Sequence, residues 1–171
     1  MKKNLLILIL LIPTVILFGC IVNKPKKQPN IIFALADDWS WPHTSIAYEM
    51  SLPGSDKVIK TPNFDRIARE GVLFKNAFCS APSCGPSRSA ILTGRNMWQL
   101  ETGANLRGIF PNKFGVYTDA LEEAGYHVGH IDKGCTPMKF VDGRTDPAGQ
   151  KFKNFKEFMD KRADGNTFCF W

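Results

Sequence analysis

Asn30-Ile31-Ile32-Phe33-Ala34-Leu35-Ala36-Asp37-Asp38 is the stretch on which the fold turns. An unbroken apolar run with no polar alternation predicts a strand buried on both faces, as in a parallel sheet covered by helices. The run ends in two adjacent carboxylates, which are costly to bury unless something compensates them. In open α/β sheets the carboxyl end of a strand is also where ligands bind. Asp37 and Asp38 are therefore candidate site residues as well as strand terminators.

Outward from this strand the pattern repeats. Trp39 to Asp56 reads as an irregular loop. Thr61-Pro62-Asn63 predicts a helix start, with Thr61 as cap, Pro62 in the first turn, Phe64, Ile67 and Ala68 as the apolar face, and Gly71 as the stop. Val72-Leu73-Phe74 and Ala77-Phe78 predict a short strand. Tyr117 to Ala124 predicts a helix ended by Gly125, and Tyr126 to Ile131 a strand that delivers Asp132 and Lys133 to the same sheet edge. Lys151 to Lys161 carries Phe152, Phe155, Phe158 and Met159 on one helical face, and Thr167 to Trp171 reads as a further buried strand. The alternation gives an α/β fold, a mixed or largely parallel sheet flanked by helices. Because an apolar strand needs partners, a domain is not expected to stop there, and the chain reads as the N-terminal part of a longer protein.

The chain has 171 residues, 44% hydrophobic and 22% charged, which suits one globular domain. The formal net charge of +6 draws on Lys2, Lys3, Lys24, Lys26 and Lys27. Scattered surface charge accounts for it, and no nucleic-acid motif is present. Met1-Lys2-Lys3-Asn4 followed by apolar Leu5 to Phe18 is an export signal. Its end, Leu17-Phe18-Gly19-Cys20, resembles a bacterial lipobox, which implies cleavage before Cys20 and lipid on that cysteine; a plain secretory signal or an uncleaved anchor is the alternative. The expected organisation is a signal peptide over 1–19, a tether over 20–29 and a globular domain, read as partial, over 30–171, on a lipoprotein facing the periplasm or cell surface. Of the five cysteines, with Cys20 and Cys84 set aside, Cys79, Cys135 and Cys169 remain, either as one disulfide and a free thiol or as three reduced thiols.

Cys84-Gly85-Pro86-Ser87-Arg88-Ser89-Ala90-Ile91-Leu92-Thr93-Gly94-Arg95 carries the chemistry. Locally it predicts a helix start, with Pro86 in the first turn and apolar side chains turned inward. Cys84 could then be a small buried hydrophobe. Equally, a reactive group at a helix N-terminus sits where backbone N–H groups favour an anion. Around it, Asp37 and Asp38 offer hard oxygens suited to Ca²⁺ or Mg²⁺. Arg88 offers paired planar donors for a tetrahedral oxyanion, and Lys133 a point charge. The plainer alternatives are capping by the aspartates and a surface role for Lys133.

From Asn30 onward the chain resembles the formylglycine-dependent sulfatases of the alkaline phosphatase-like superfamily. The resemblance rests on the Asp37-Asp38 strand, Thr61-Pro62-Asn63-Phe64-Asp65, Phe78, the Cys84–Arg95 signature and the Gly125-Tyr126 turn toward Lys133. It implies that Cys84 is converted to formylglycine by a maturase, and that the hydrated aldehyde binds the metal and attacks sulfur. It further implies Ca²⁺ (Mg²⁺ as alternative) on Asp37, Asp38 and the modified Cys84, with Arg88 orienting the nucleophile and Lys133 binding sulfate. Collapse of the covalent sulfate ester would regenerate the aldehyde. The substrate implied is a sulfated glycan, with a lean toward glycosaminoglycan.

Many members have Lys-x-His where this chain has Lys133-Gly134-Cys135. A subgroup resembling bacterial heparan N-sulfatases has Gly-Lys-Gly-Trp, matched here except at Asp132 and Cys135. His130, on the preceding strand, is a weaker catalytic candidate than a structural imidazole, and His127 and His43 are weaker still. The remaining metal ligands, histidine and lysine of the family lie further downstream, so the chain by itself is expected to show no turnover. Rival readings are a phosphoesterase or phosphonate hydrolase of the same superfamily, and a non-catalytic lipid-anchored fragment.

Overall fold

The strand after Asn30 forms, but it is shorter than the apolar run predicts and lies at an edge. In the computed structural model, which describes residues 28–171, β1 is Ile31–Ile32. The signal segment, Cys20 and most of the tether lie outside the described residues. β1 pairs in parallel with Phe168–Phe170 (β4), Ile31 opposite Cys169 and Ile32 opposite Phe170, and Phe33 adds one further bond to the Phe170 carbonyl at 2.9 Å. His127–His130 (β2) lies on the other side of β4, and Gln150–Lys151 (β3) lies beyond β2. The order is β1-β4-β2-β3 and every pairing is parallel. Among the described residues β1 thus has one neighbour only. Ile32 is 65% exposed, so the expectation of burial on both faces fails at β1. It holds at β4, the inner strand, whose three residues are all buried.

The helices are α1 (Ser45–Glu49), α2 (Pro62–Glu70), α3 (Cys84–Thr93), α4 (Tyr117–Glu123) and α5 (Phe155–Asp160). Helix α1 falls within the segment expected to be an irregular loop; Thr44 caps it, accepting from Ala47 N at 3.2 Å. Helix α3 starts where the signature predicts and stops at Gly94, whose φ of +65° is the left-handed conformation that favours glycine. Helix α5 is shorter than the Phe spacing suggests, because Asn154 caps it by accepting from Glu157 N at 2.9 Å. Residues 150–151, just before it, join the sheet instead. No strand forms over Val72–Phe78, where Val72, Phe74 and Phe78 are exposed.

Helix α2 also departs from its predicted face. Ile67 is exposed, and the buried residue is Asp65. Its carboxylate accepts from Ser45 Oγ at 2.5 Å, Ile46 N at 3.2 Å and Thr61 Oγ1 at 2.8 Å. Thr61 therefore makes no side-chain cap; it joins α2 to α1 through Asp65 and Ser45. These hydrogen bonds, Ser45 foremost, hold the Asp65 carboxyl below its ordinary range.

Two apolar clusters flank the sheet. One gathers Leu92, Phe110, Val116, Met138 and Trp171; the other is the aromatic set Phe152, Phe158, Phe168 and Phe170. The two-residue period of β4 explains the division, since Phe168 and Phe170 face α5 while Trp171 turns to the α3 side. Among the described residues no helix is long and apolar enough to cross a membrane.

Candidate functional site

At the carboxyl ends of β1 and β2 lies a cavity of about 1150 Å³ whose wall includes Asp37, Arg88 and Lys133. Those three expected site residues are brought together by direct contact. Arg88 is buried and approaches Asp37 Oδ1 at 3.5 Å, while Lys133 donates to Asp37 Oδ2. Arg88 Nη1 also donates to the Gly134 carbonyl at 2.8 Å, and its guanidinium stacks over the Trp171 ring at 5.5 Å. A buried guanidinium needs such partners, because an unpaired charge there would be strongly destabilising.

The turn after β2 sets this geometry. Asp132 and Gly134 both take positive φ, 55° and 51°, which throws the Lys133 side chain toward Asp37 and the Gly134 carbonyl toward Arg88. The turn is pinned from below by Asp146, whose carboxylate accepts from Cys135 N at 3.0 and 3.1 Å and from Ala148 N at 2.9 Å. A Cβ on Gly134 would collide with the Asp146 carboxylate and the His130 ring. Glycine is thus required beside Lys133 on two counts. The role of Asp146 is not apparent from its position in the sequence; the one signal is Asp146-Pro147-Ala148-Gly149, a turn sequence in which an aspartate bonds backbone two residues on.

Cys84 is the first residue of α3 and half-buried. It stands one helical turn before Arg88, so both lie on the same helix face. Asp38 is exposed with φ 57°, and neither it nor Cys84 lines the cavity wall. Among the described residues no three His, Cys, Asp or Glu side chains gather as a metal site. Asp37 and Asp38 match a hard divalent cation in kind, but Ca²⁺ takes about six to eight oxygens, so two aspartates fit in chemistry and fall short in number.

His130 does not reach the cavity. It is 1% exposed, beneath the Lys133 turn, with Nε2 3.8 Å from Asp146 Oδ2. Burial lowers its pKa, against the opposing pull of Asp146, so the ring stays neutral. His127 bonds the Phe158 carbonyl at 3.1 Å and stacks on that ring. His43 is engaged through its backbone, its carbonyl accepting from Trp39 Nε1 and its N–H donating to the Ser40 carbonyl. The described cysteines are all free: Cys79 exposed, Cys135 and Cys169 buried. Burial pushes the Cys135 thiol up to about 12.

The model of the Sulfatase family matches residues 29–168. A protein named Sulfatase from Formosa agariphila is 35% identical over 156 residues, covering 82% of this chain and 28% of that protein. The N-acetylglucosamine-6-O-sulfatase of Bacteroides thetaiotaomicron is 38% identical over 137 residues, 78% of this chain and 23% of its own length. The N-acetylgalactosamine-6-O-sulfatase of the same organism is 35% identical over 173 residues, 92% and 32% respectively. The chain therefore spans roughly a quarter to a third of these relatives. No solved structure matches it. A signature cysteine one turn before a buried arginine, with that arginine and a lysine on one strand-end aspartate, agrees with the family match: the chain belongs to the sulfatase family.

Proposed function

We propose that this chain supplies part of the active site of an enzyme that hydrolyses sulfate esters of carbohydrates. The observation that carries the proposal is the convergence of Arg88 and Lys133 on Asp37, one helical turn from Cys84. Two fixed cations in one cavity wall can hold the oxygens of a tetrahedral dianion, and the α3 N-terminus adds backbone N–H groups of the same sign. Family membership supports Cys84 as the position of a formylglycine, which supplies a hydrated aldehyde as nucleophile toward sulfur. Asp37, Asp38 and the modified Cys84 would hold a divalent cation, Ca²⁺ in our reading, which supplies Lewis-acid charge to the sulfate oxygens. Arg88 fixes the nucleophile's orientation from its buried seat, and Lys133, the more exposed of the two, takes a sulfate oxygen.

The names of the Bacteroides relatives support a 6-O-sulfated N-acetylhexosamine as the substrate unit. A cysteine in the signature favours sulfate over phosphate esters. Cys20, outside the described residues, is proposed as a lipid anchor on the outer side of a bacterial membrane. The test is to co-express the complete enzyme with a maturase, determine the mass of the Cys84 peptide, and compare sulfate and phosphate release from aryl esters. An intact thiol at Cys84, or faster phosphate than sulfate release, would overturn the proposal.

A further inference from the structure

The cavity that holds the two cations also has an aromatic wall, and no sulfate chemistry needs it. Trp39 follows directly on Asp37-Asp38, lines the cavity and is 43% exposed. Its indole is not a loose surface ring. Nε1–H donates to the His43 carbonyl at 2.8 Å, and Phe64, also in the cavity wall, meets it edge-on with centroids 5.5 Å apart and planes at 63°. Trp41 backs Phe64 from another side at 6.4 Å. Phe64 in turn is fixed by its neighbour in sequence, Asp65, whose buried carboxylate clamps α2 to α1. An indole held by its N–H and by a ring edge, two-fifths exposed and part of the cavity wall, is preorganised for a flat partner.

The ligand chemistry follows from the neighbours. A group esterified to a sulfate held by Arg88 and Lys133 must occupy the rest of the cavity. A pyranose ring presents C–H bonds on one face and hydroxyls at its rim, and those C–H bonds suit the electron-rich face of an indole. A phosphate or an inorganic anion has no such face. We propose that Trp39, backed by Phe64, is the platform on which the sugar ring of the sulfated substrate lies, a specificity residue distinct from the cations that hold the sulfate. The proposal builds on the carbohydrate sulfatase reading above and names the part of the site that tells a sugar sulfate from a bare sulfate.

Titration calorimetry of the whole protein with N-acetylglucosamine 6-sulfate, N-acetylglucosamine and inorganic sulfate separates the parts. Trp39→Ala is expected to lower the ratio of affinities for the sugar sulfate and inorganic sulfate roughly five- to tenfold, while Trp39→Phe keeps most of the ratio. Lys133→Ala is expected to weaken both sulfate-bearing probes together. An unchanged ratio in Trp39→Ala, with wild-type sulfate binding intact, overturns the platform and leaves the sulfatase reading standing. Binding of unsulfated N-acetylglucosamine that depends on Trp39, with no sulfate binding, supports the platform and overturns the sulfatase reading. Equal loss of both sulfate-bearing probes in Trp39→Ala and Trp39→Phe assigns Trp39 to the scaffold and overturns the proposal.

Discussion

Gly134→Ala, alone and combined with Asp146→Ala, probes how the Lys133 turn is built. Gly134 sits at φ 51°, where a side chain costs about 1–2 kcal/mol. The added methyl also collides with the Asp146 carboxylate and comes within 2.5 Å of His130 Nε2. Relief requires Asp146 to leave Cys135 N, its partner at 3.0 Å, and a hydrogen bond to a charged group is worth about 1.5–3 kcal/mol. Together the two effects give a loss of about 3–4 kcal/mol for Gly134→Ala. Asp146→Ala alone forfeits the bonds to Cys135 N and Ala148 N, about 3–6 kcal/mol at about 1.5–3 kcal/mol each. In the double variant the collision with Asp146 is gone and its hydrogen bonds cannot be lost twice. The double loss should fall short of the sum by about 1.5–3 kcal/mol, the worth of the Asp146–Cys135 N bond. Equilibrium urea unfolding measures this cycle, with unchanged m-values as the control and midpoints lowered by about 1–2 M for Gly134→Ala. Additivity within about 0.5 kcal/mol would refute the reasoning, since it would mean that Gly134 and Asp146 do not share the space.

Three other outcomes are expected. Burial keeps His130 neutral, with a folded pKa below 6.5, so below that pH the unfolded chain binds the extra proton; stability is therefore full above about pH 6.5 and declines as pH falls. Thermal melts from pH 8 to 5 should show that decline, and His130→Gln should flatten it. Phe158→Ala should cost about 3–5 kcal/mol, because this fully buried ring touches Phe152, Phe168 and Phe170 and its loss leaves a cavity among them; an effect under about 1 kcal/mol in urea unfolding counts against it. In the unmatured native protein at pH 8, a thiol reagent followed by peptide mapping should label Cys79 and Cys84, whereas Cys135 and Cys169, buried with raised pKa, should react only on unfolding.

The parallel sheet, α3 and the meeting of Asp37, Arg88 and Lys133 were legible in the residues because each leaves a local trace. Apolar runs end in charges, and a signature repeats fixed offsets. Asp65 leaves no such trace, and Asp146 leaves only its Asp-Pro-Ala-Gly turn. The partners that join them to other elements, Ser45 and Ile46 for Asp65 and Cys135 for Asp146, lie about twenty and eleven residues away, and a lone aspartate reads as a solvated charge until backbone N–H groups and hydroxyls are brought to it. Edge and centre are likewise invisible in an apolar run: Ile31–Ile32 and Phe168–Phe170 have similar composition, yet topology exposes the first and buries the second. The helix expected from Lys151 onward fails for a related reason. Phe152, Phe155 and Phe158 suit a helical face by spacing, but Phe152 joins the same aromatic cluster from outside α5.

The strand order has a consequence for synthesis. β4 lies between β1 and β2, so both earlier strands hydrogen-bond to residues made last among the described elements. While the ribosome is still producing residues 150–160, β1 and β2 have no shared neighbour, and the aromatic cluster lacks Phe168 and Phe170. Pairing of β1 is therefore a non-local event that waits on a strand far along the chain, of the kind that folds slowly and leaves strand edges open to other chains. During that interval the nascent chain would rely on whatever shields Ile31, Ile32 and Phe33 until Cys169 and Phe170 arrive beside them.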